Sequence, residues 1–466
     1  MTPTSDSPSE TDQTTDRRED DFALDSELVA GVCESVEVGD RVGALAQIDG
    51  LHPADMADLL EQVTADERRG IVDLLWSDID NEVLVELDEG IRDEVLEILQ
   101  PKDLAEAAKE LETDDVVYLV EDLEDDQKQV VLEALEPAER AAVTRSLEYP
   151  DYSAGRLMQT DFVKAPPFWT VGQMIDALRA EDDLPQQFYD VIITDPAARP
   201  VGTIPLSAIL ANRRPVILES IMQDEFRSLH VEDAQEDVAY AFNQYHLVSA
   251  PVVDEDGRVV GVITIDDAME VLEEEAEEDI KRLAGVGDEE LSDNLWEIAR
   301  ARFTWLFANL GTAILASAVI AQFDATMQQI IALAVLMPIV ASMGGNAATQ
   351  TLTVSVRALA TRDLTATNAF RIVLRETMVG LVNGLLFAAL IGALTWAYYG
   401  YGALGAVIAV AMVINMVVAG LAGILIPMGL DRLGVDPALA SGTFVTTVTD
   451  VVGFFAFLGL AALVLI

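Results

Sequence analysis

Two sets of residues in this 466-residue sequence are of the types and spacings that handle cations. The first centres on Asp450, which follows Thr443, Thr446, Thr447 and Thr449 in an otherwise apolar stretch and is followed by 16 residues to the end of the sequence. Thr446 and Asp450 are four apart and share a helix face. An ionisable side chain at membrane depth is costly, and by default it marks a functional site. It reads either as a structural carboxylate bonded to the nearby hydroxyls or as a permeation carboxylate, and the second is preferred. The second set is the run Glu270, Glu273, Glu274, Glu275, Glu277, Glu278 and Asp279, in a segment from Asp266 to Leu283 that reads as one helix. Glu274 and Glu278 are four apart, as are Glu275 and Asp279. Like charges at that spacing weaken a helix by a few tenths of a kcal/mol, or about that, per pair. The run is either a solvated acidic face or a helix whose self-repulsion is relieved by divalent cations.

The elements that must carry these residues follow from composition. The chain has 28 Lys plus Arg against 81 Asp plus Glu, a net charge of -53, yet 51% of its residues are hydrophobic. The charges are segregated. Residues Phe303 to Ile466 hold six acids and five arginines, so an acidic soluble half precedes a nearly uncharged apolar half. Phosphate contacts need a basic face, so nucleic-acid binding is disfavoured. The one cysteine, Cys33, excludes an intramolecular disulfide framework and a Cys-rich metal site. Only five lysines accompany acids spread over the whole soluble half, the pattern of a halophilic surface.

Apolar stretches at 303–321, 328–356, 372–397, 404–430 and 438–466 are each long enough to cross a bilayer. Arg357, Arg362, Arg371 and Arg375 lie between the second and third, Arg302 precedes the first and Arg432 follows the fourth. The positive-inside rule then puts the N-terminal half in the cytosol and the C-terminus outside the plasma membrane. Polar residues within the spans are informative: Asn346, Thr349 and Gln350 after Gly344-Gly345, then Asn383 and Asn415. Pro338 suggests a broken or kinked second span. No Walker A motif or phosphorylated-enzyme signature occurs, which fits a channel rather than an enzyme.

In the soluble half, residues 1–21 read as a disordered acidic tail without the apolar core of a signal peptide. From 22 to 150, helix-start signals recur at Pro53, Asp66, Asp80, Gly90, Pro101, Asp114, Asp125 and Pro137. Helices that short must stack, which predicts a helical superhelix. From 151 the pattern turns to β-branched strands: 191–194, 201–204, 251–253 and 259–263. Leu157-Met158-Gln159 matches Ile221-Met222-Gln223, and Val201-Gly202-Thr203-Ile204 matches Val260-Gly261-Val262-Ile263 closely enough to define a repeat. This repeat resembles a pair of CBS domains, at 151–210 and 211–268, and the resemblance leaves adenine-nucleotide binding open.

The order of parts, with Gly344-Gly345-Asn346-Ala347-Ala348-Thr349-Gln350, Arg357 to Leu364, Asp436-Pro437-Ala438-Leu439-Ala440-Ser441 and Thr446-Thr447-Val448-Thr449-Asp450, resembles the MgtE magnesium-channel family. The resemblance implies a mainly α membrane protein. Its parts are a cytosolic helical superhelix domain, an α/β CBS-domain pair, an acidic connecting helix at 269–300 and a five-helix transmembrane pore domain at 301–466. It implies Mg²⁺ as transported and regulatory ion, and a homodimer in the lipid bilayer with the pore at the subunit interface. It makes Asp450 the pore aspartate, with Asn346, Thr446 and Thr447 lining the pore. It makes Asp267, Glu270, Glu275, Glu278, Asp279 and Glu236 cytosolic Mg²⁺ sensors, with Asp114 and Asp115 as N-domain partners. Three positions depart from the family pattern: His246 replaces an acid, Ala348 a glycine and Thr443 a proline. Alternatives with the same fold are an ion-coupled secondary divalent-cation transporter and a non-conducting membrane-tethered cation sensor.

Overall fold

Helices in the N-terminal region open where Pro or a capping residue allows it. In the computed structural model, which describes residues 24–123, 125–181, 184–185, 187–286 and 295–466, they start at Pro53, Ala65, Glu89, Pro101, Thr113, Asp125 and Pro137. Each of these starts is within one residue of an expected signal, whereas the helices Ser26–Glu37 and Arg41–Ile48 open after the capping residues Asp25 and Asp40, which no expected signal marked. The signal at Asp80 yields only the short helix Val83–Glu86. The expected tail at 1–21 lies outside the described residues. Helices this short bury one face each, and Leu59, Leu60, Ile71, Leu75, Leu84, Val95, Leu104 and Leu119 form one continuous core. Two buried arginines join successive helices. Arg68 donates to the Leu60 carbonyl at 2.9 Å and the Val63 carbonyl at 3.2 Å, and it pairs with Glu94. These bonds satisfy carbonyls at the end of helix Pro53–Gln62 that no intrahelical donor can reach. Arg92 lies over the Tyr118 ring, 4.1 Å from its centre.

The strand region holds two three-stranded sheets of the same design. β1 (Lys164–Ala165), β2 (Asp190–Thr194) and β3 (Pro200–Pro205) form one; β4 (Leu229–His230), β5 (Ser249–Val253) and β6 (Val259–Thr264) form the other. In each, the first pair is parallel and the second antiparallel. The two copies are crossed. Gln159 of the first exchanges backbone hydrogen bonds with Val262 of β6 at 2.9 Å, and Gln223 of the second does so with Thr203 of β3 at 2.9 and 3.1 Å. This crossing explains the glycine in each repeat. A Cβ on Gly261 would lie 2.7 Å from Met158 Sδ and 2.8 Å from the Gln159 carbonyl oxygen, and Gly202 faces Met222 and Gln223 in the same way. Gly261→Ala is expected to destabilise the pair by about 1–3 kcal/mol, as overpacking against backbone does. The thermal midpoint should fall by roughly 2–10 °C, measured by scanning fluorimetry on the whole protein.

The chain divides into two compact units, the first ending at Met269 and the second running from Glu270 to Ile466. The acidic helix Ile265–Ala284 crosses that division. The segment expected to continue to 300 is helical only to Ala284, because Gly285 has φ +72° and ends the helix. Residues 287–294 lie outside the described set, and the next helix begins at Leu295, so Arg302 sits within it.

Among the described residues, five helices of the second unit are long and apolar enough to cross a membrane: Ile298–Ala321, Ala332–Ala360, Ala369–Tyr399, Gly402–Arg432 and Gly442–Val464, hereafter spans one to five. Span four is the most enclosed and span one the least. Spans three and four approach closely because their contact face is made of small residues. A Cβ on Gly380 would fall 2.6 Å from the Met416 carbonyl oxygen, and one on Gly405 would fall 2.6 Å from the Gly392 carbonyl oxygen. The break expected at Pro338 does not occur, and the helix runs on from Ala332 to Ala360. Proline removes one donor from the ladder. Just beyond it, Asn415 Nδ2 of span four donates to the Val340 carbonyl at 2.9 Å.

Candidate functional site

Span five carries Asp450 on the helix Pro437–Val464, whose N-terminus is capped by Asp436 accepting from the Ala438 N–H at 2.7 Å. The hydroxyls near Asp450 do not bond to it. Thr446 donates to the Gly442 carbonyl at 2.9 Å, Thr447 to the Thr443 carbonyl at 2.6 Å, and Thr449 to the Thr446 carbonyl at 2.9 Å. These are the back-bonds to the preceding turn that Thr makes in helices. Thr443 donates instead to Asn309 Oδ1 of span one at 2.9 Å. Among the described residues no side chain donates to the half-buried Asp450 carboxylate. The structural reading of Asp450, in which neighbouring hydroxyls satisfy it, therefore lacks its hydrogen bonds.

On span two Asn346 is exposed, and so are Thr349, Gln350 and Thr353. Their spacing of three, four and seven from Asn346 makes one polar stripe along an apolar helix. Thr349 and Thr353 donate to the carbonyls of Gly345 and Thr349, each at 3.0 Å. Sequence reasoning singled out Asn346 but missed Thr353, although the stripe is visible as a period once the helix is known. It also missed Asn309.

The acidic helix brings part of its run to the start of span five. Arg282 pairs with Glu278 and reaches Asp436 Oδ2 at 2.5 Å. Burial, then the charge of Asp436, raises the Asp279 carboxyl above the usual carboxylate range. Glu275 is half-buried and Glu270 exposed on the same helix. Asp436 was quoted as part of a motif but not as a partner of the helix, because 154 residues separate it from Arg282.

A second group of acids meets inside the first unit. Helix Thr113–Asp122 presents Glu112, Asp114 and Asp115 at its start, and the entry to the acidic helix presents Asp266 and Asp267. Gln159 donates to Glu112 at 2.9 Å, and the Thr113 and Thr160 hydroxyls are 2.9 Å apart, so the helical and strand regions are bonded here. Asp267 accepts from the Thr264 N–H at 3.1 Å, and Asp266 from the Thr264 hydroxyl. Asp114 is buried, and its Oδ2 has no hydrogen-bond partner. The carboxyls raise each other's pKa. Glu112 is pushed up to about 7 by burial and then by Asp267 and Asp266. Asp115 is pushed to about 7 by burial and Glu112, and Asp267 to about 7 by burial and Asp266. Asp114 is raised well above the ordinary range by burial, Asp267 and Asp115. Glu236 stands on the first turn of helix Gln235–Tyr245, and no hydrogen bond or ion pair among the described residues ties it to this group. His246 ends that helix in a left-handed conformation, φ 53°. Among the described residues no three His, Cys, Asp or Glu side chains stand close enough to hold a metal ion.

Comparison with known proteins places these parts. Residues 337–460 match the MgtE divalent cation transporter family, 51–152 the MgtE intracellular N domain and 218–274 the CBS domain. The magnesium transporter MgtE of Enterococcus faecalis is 35% identical over 68% of this chain and 70% of its own. That of Thermus thermophilus is 35% identical over 68% of this chain and 71% of its own. A crystal structure of the cytosolic domain of the Mg²⁺ channel MgtE in complex with ATP is 27% identical and covers 52% of this chain and 99% of that one, with a TM-score of 0.49. Identity and coverage at this level, with a mainly helical architecture and five membrane-length helices, settle the family: the chain is a multi-pass membrane protein and belongs to the MgtE family of divalent cation transporters, not to a family of enzymes.

Proposed function

We propose that the protein is a Mg²⁺-selective channel of the plasma membrane that admits magnesium and is shut by cytosolic Mg²⁺. The observation that carries the pore is Asp450, an intramembrane carboxylate whose neighbouring hydroxyls are spent on their own helix. Mg²⁺ gives up its water reluctantly and meets proteins through one or two carboxylates. Two copies of Asp450 about a two-fold axis give a hydrated ion two charges without an acidic cage. Asn346, Thr446 and Thr447 line the path, with Thr349, Gln350 and Thr353 continuing the wall. A polar stripe exposed in hydrocarbon is unfavourable, and a homodimer that encloses it around water removes that cost. The N-terminal half faces the cytosol and the C-terminus the outside, following the arginines between spans two and three. At roughly 100 mV, inside negative, a divalent ion gains about 4.6 kcal/mol on entry, so no ATP is needed. The related proteins of three bacteria are named magnesium transporters, which supports magnesium as the cargo.

Gating rests on the two acidic groups. Glu112, Asp114, Asp115, Asp266 and Asp267 repel one another, and Mg²⁺ between them replaces repulsion by bridging. Glu270, Glu275, Glu278 and Asp279 do the same for the acidic helix, with Asp436, the cap of the helix that carries span five, as their partner. Glu236 is the outlying member of the set. Ligand bound to one state shifts the population toward it.

The test is uptake by liposomes, cation by cation, with and without an imposed potential. Mg²⁺ uptake driven by potential alone is the expected result, and uptake that requires a Na⁺ or H⁺ gradient would overturn the channel. For gating, the triple variant Glu275→Gln, Glu278→Gln, Asp279→Asn loses ligands and repulsion together. Repulsion is worth a few tenths of a kcal/mol or about that per exposed pair, the ligand coupling about 1–3 kcal/mol. The variant should therefore need about fivefold or more cytosolic Mg²⁺ for half-inhibition in patch-clamp recordings. A curve that overlays the wild type assigns these acids to the solvated surface.

A further inference from the structure

We propose that Asn415 of span four is a positioning residue that sets the spacing between the two pore-facing helices and so the selectivity among divalent cations. This rests on Asp450 being the pore carboxylate. Asn415 is fully buried in the membrane unit. Its Nδ2 donates to the Val340 carbonyl of span two at 2.9 Å. Its Oδ1 is buried without a hydrogen-bond partner. An amide left half-satisfied between apolar helices costs free energy, so its retention needs a reason beyond packing.

The reason lies in what it touches. A Cβ built on Gly344 of span two would lie 2.1 Å from Asn415 Nδ2, and one on Gly453 of span five would lie 2.8 Å from the same atom. One side chain is therefore wedged between the helices that carry Asn346 and Asp450. Gly344 is two residues before Asn346, and Gly453 is three residues after Asp450, one helical turn. The amide spans the gap, the glycines let both helices close onto it, and the bond to Val340 fixes its height. The separation of spans two and five, which carry Asn346 and Asp450, is then set by the width of one amide. A hydrated ion is read by how well its outer waters meet both walls, so that width selects among ions of different hydrated size.

The test compares Mg²⁺ and Ca²⁺ uptake into the same liposomes for wild type, Asn415→Ala, Asn415→Ser, Asp450→Asn and the double variant Gly344→Ala with Asn415→Ala. Asn415→Ala should retain uptake while the Mg²⁺ to Ca²⁺ ratio falls about fivefold or more, since sites held loosely by even 1 Å lose discrimination. Asn415→Ser keeps a donor and should fall between, which preserves the test if the alanine variant does not assemble. In the double variant the added methyl refills the space, so thermal stability should recover while the ratio stays low. Recovery of both would mean that Asn415 only fills volume, and an unchanged ratio in Asn415→Ala and Asn415→Ser would overturn the proposal outright. Asp450→Asn separates the two readings. Full uptake by it removes the pore assignment, whereas its loss together with an unchanged ratio in the Asn415 variants removes only this inference.

Discussion

Asp450→Asn should reduce Mg²⁺ uptake at least tenfold while leaving a folded protein in the membrane. The substitution keeps shape and removes charge from each copy. Among the described residues no side chain donates to the Asp450 carboxylate, so the amide breaks no hydrogen bond there and stability should hold. What is lost is attraction for a dication, and each loss of about 1.4 kcal/mol in ion stabilisation is a factor of ten in rate. A carboxylate at the bilayer centre costs about 2.5 kcal/mol even on the lowest scales, which is why the proposed role with the ion is the one tested. The measurement is initial uptake by liposomes, with size-exclusion chromatography to establish that the variant is folded and assembled as the wild type is. Wild-type uptake by such a variant would sink the pore assignment.

The second expected result is a proton-linked and magnesium-linked change in the first unit. Glu112, Asp115 and Asp267 have pKa values near 7 in the folded protein, against about 4 for free carboxyls. An acid raised on folding binds more protons folded than unfolded across that window. Its contribution is favourable below about pH 4 and is lost as pH rises through about 7. In chelator, the thermal midpoint of this unit should therefore fall between pH 5.5 and pH 8, by about 3 °C or more. Mg²⁺ binds the deprotonated carboxylates, so it should restore more stability at pH 8 than at pH 5.5. At a hundredfold excess over its Kd the restoring term is about 2.7 kcal/mol. Asp115→Asn with Asp267→Asn should flatten both dependences, and should raise the cytosolic Mg²⁺ needed for half-inhibition about tenfold. Comparison with that variant at constant salt removes the contribution of the other surface acids, which salt screens. A variant with the wild-type pH and Mg²⁺ profiles would place the sensor elsewhere.

The parts of this fold that are local in sequence were legible, and those that depend on distant contacts were not. Pro53, Pro101 and Pro137 mark helix starts because proline fits the first turn, whatever lies across from it. The β-branched runs at 191–194 and 259–263 are strands for similarly local reasons. The crossing of the two strand copies was not readable, although Gly202 and Gly261 hinted at it, since a glycine within a strand signals a close backbone approach. The helix runs unbroken through Pro338, because the proline removes only one hydrogen bond from a ladder of 29 residues. Asp114 and Asp115 could be suggested only through family resemblance. Their meeting with Asp266 and Asp267 joins segments about 150 residues apart, and nothing in either segment encodes the other. Asn415 was visible as an expensive polar residue, but Gly344 and Gly453 as its walls required coordinates.

The threonines around Asp450 carry a further consequence for which ions the path repels. Thr446 and Thr447 each commit their one proton to a backbone carbonyl, so toward the proposed path they show only lone pairs. The hydration shell of a cation points its hydrogens outward and finds an acceptor at every such oxygen. The shell of an anion points its oxygens outward and finds none of these hydroxyls able to donate. On the proposed pore reading, the wall would sort by the orientation of water as well as by the charge of Asp450, and chloride would meet a mismatched surface even where that carboxylate has been neutralised.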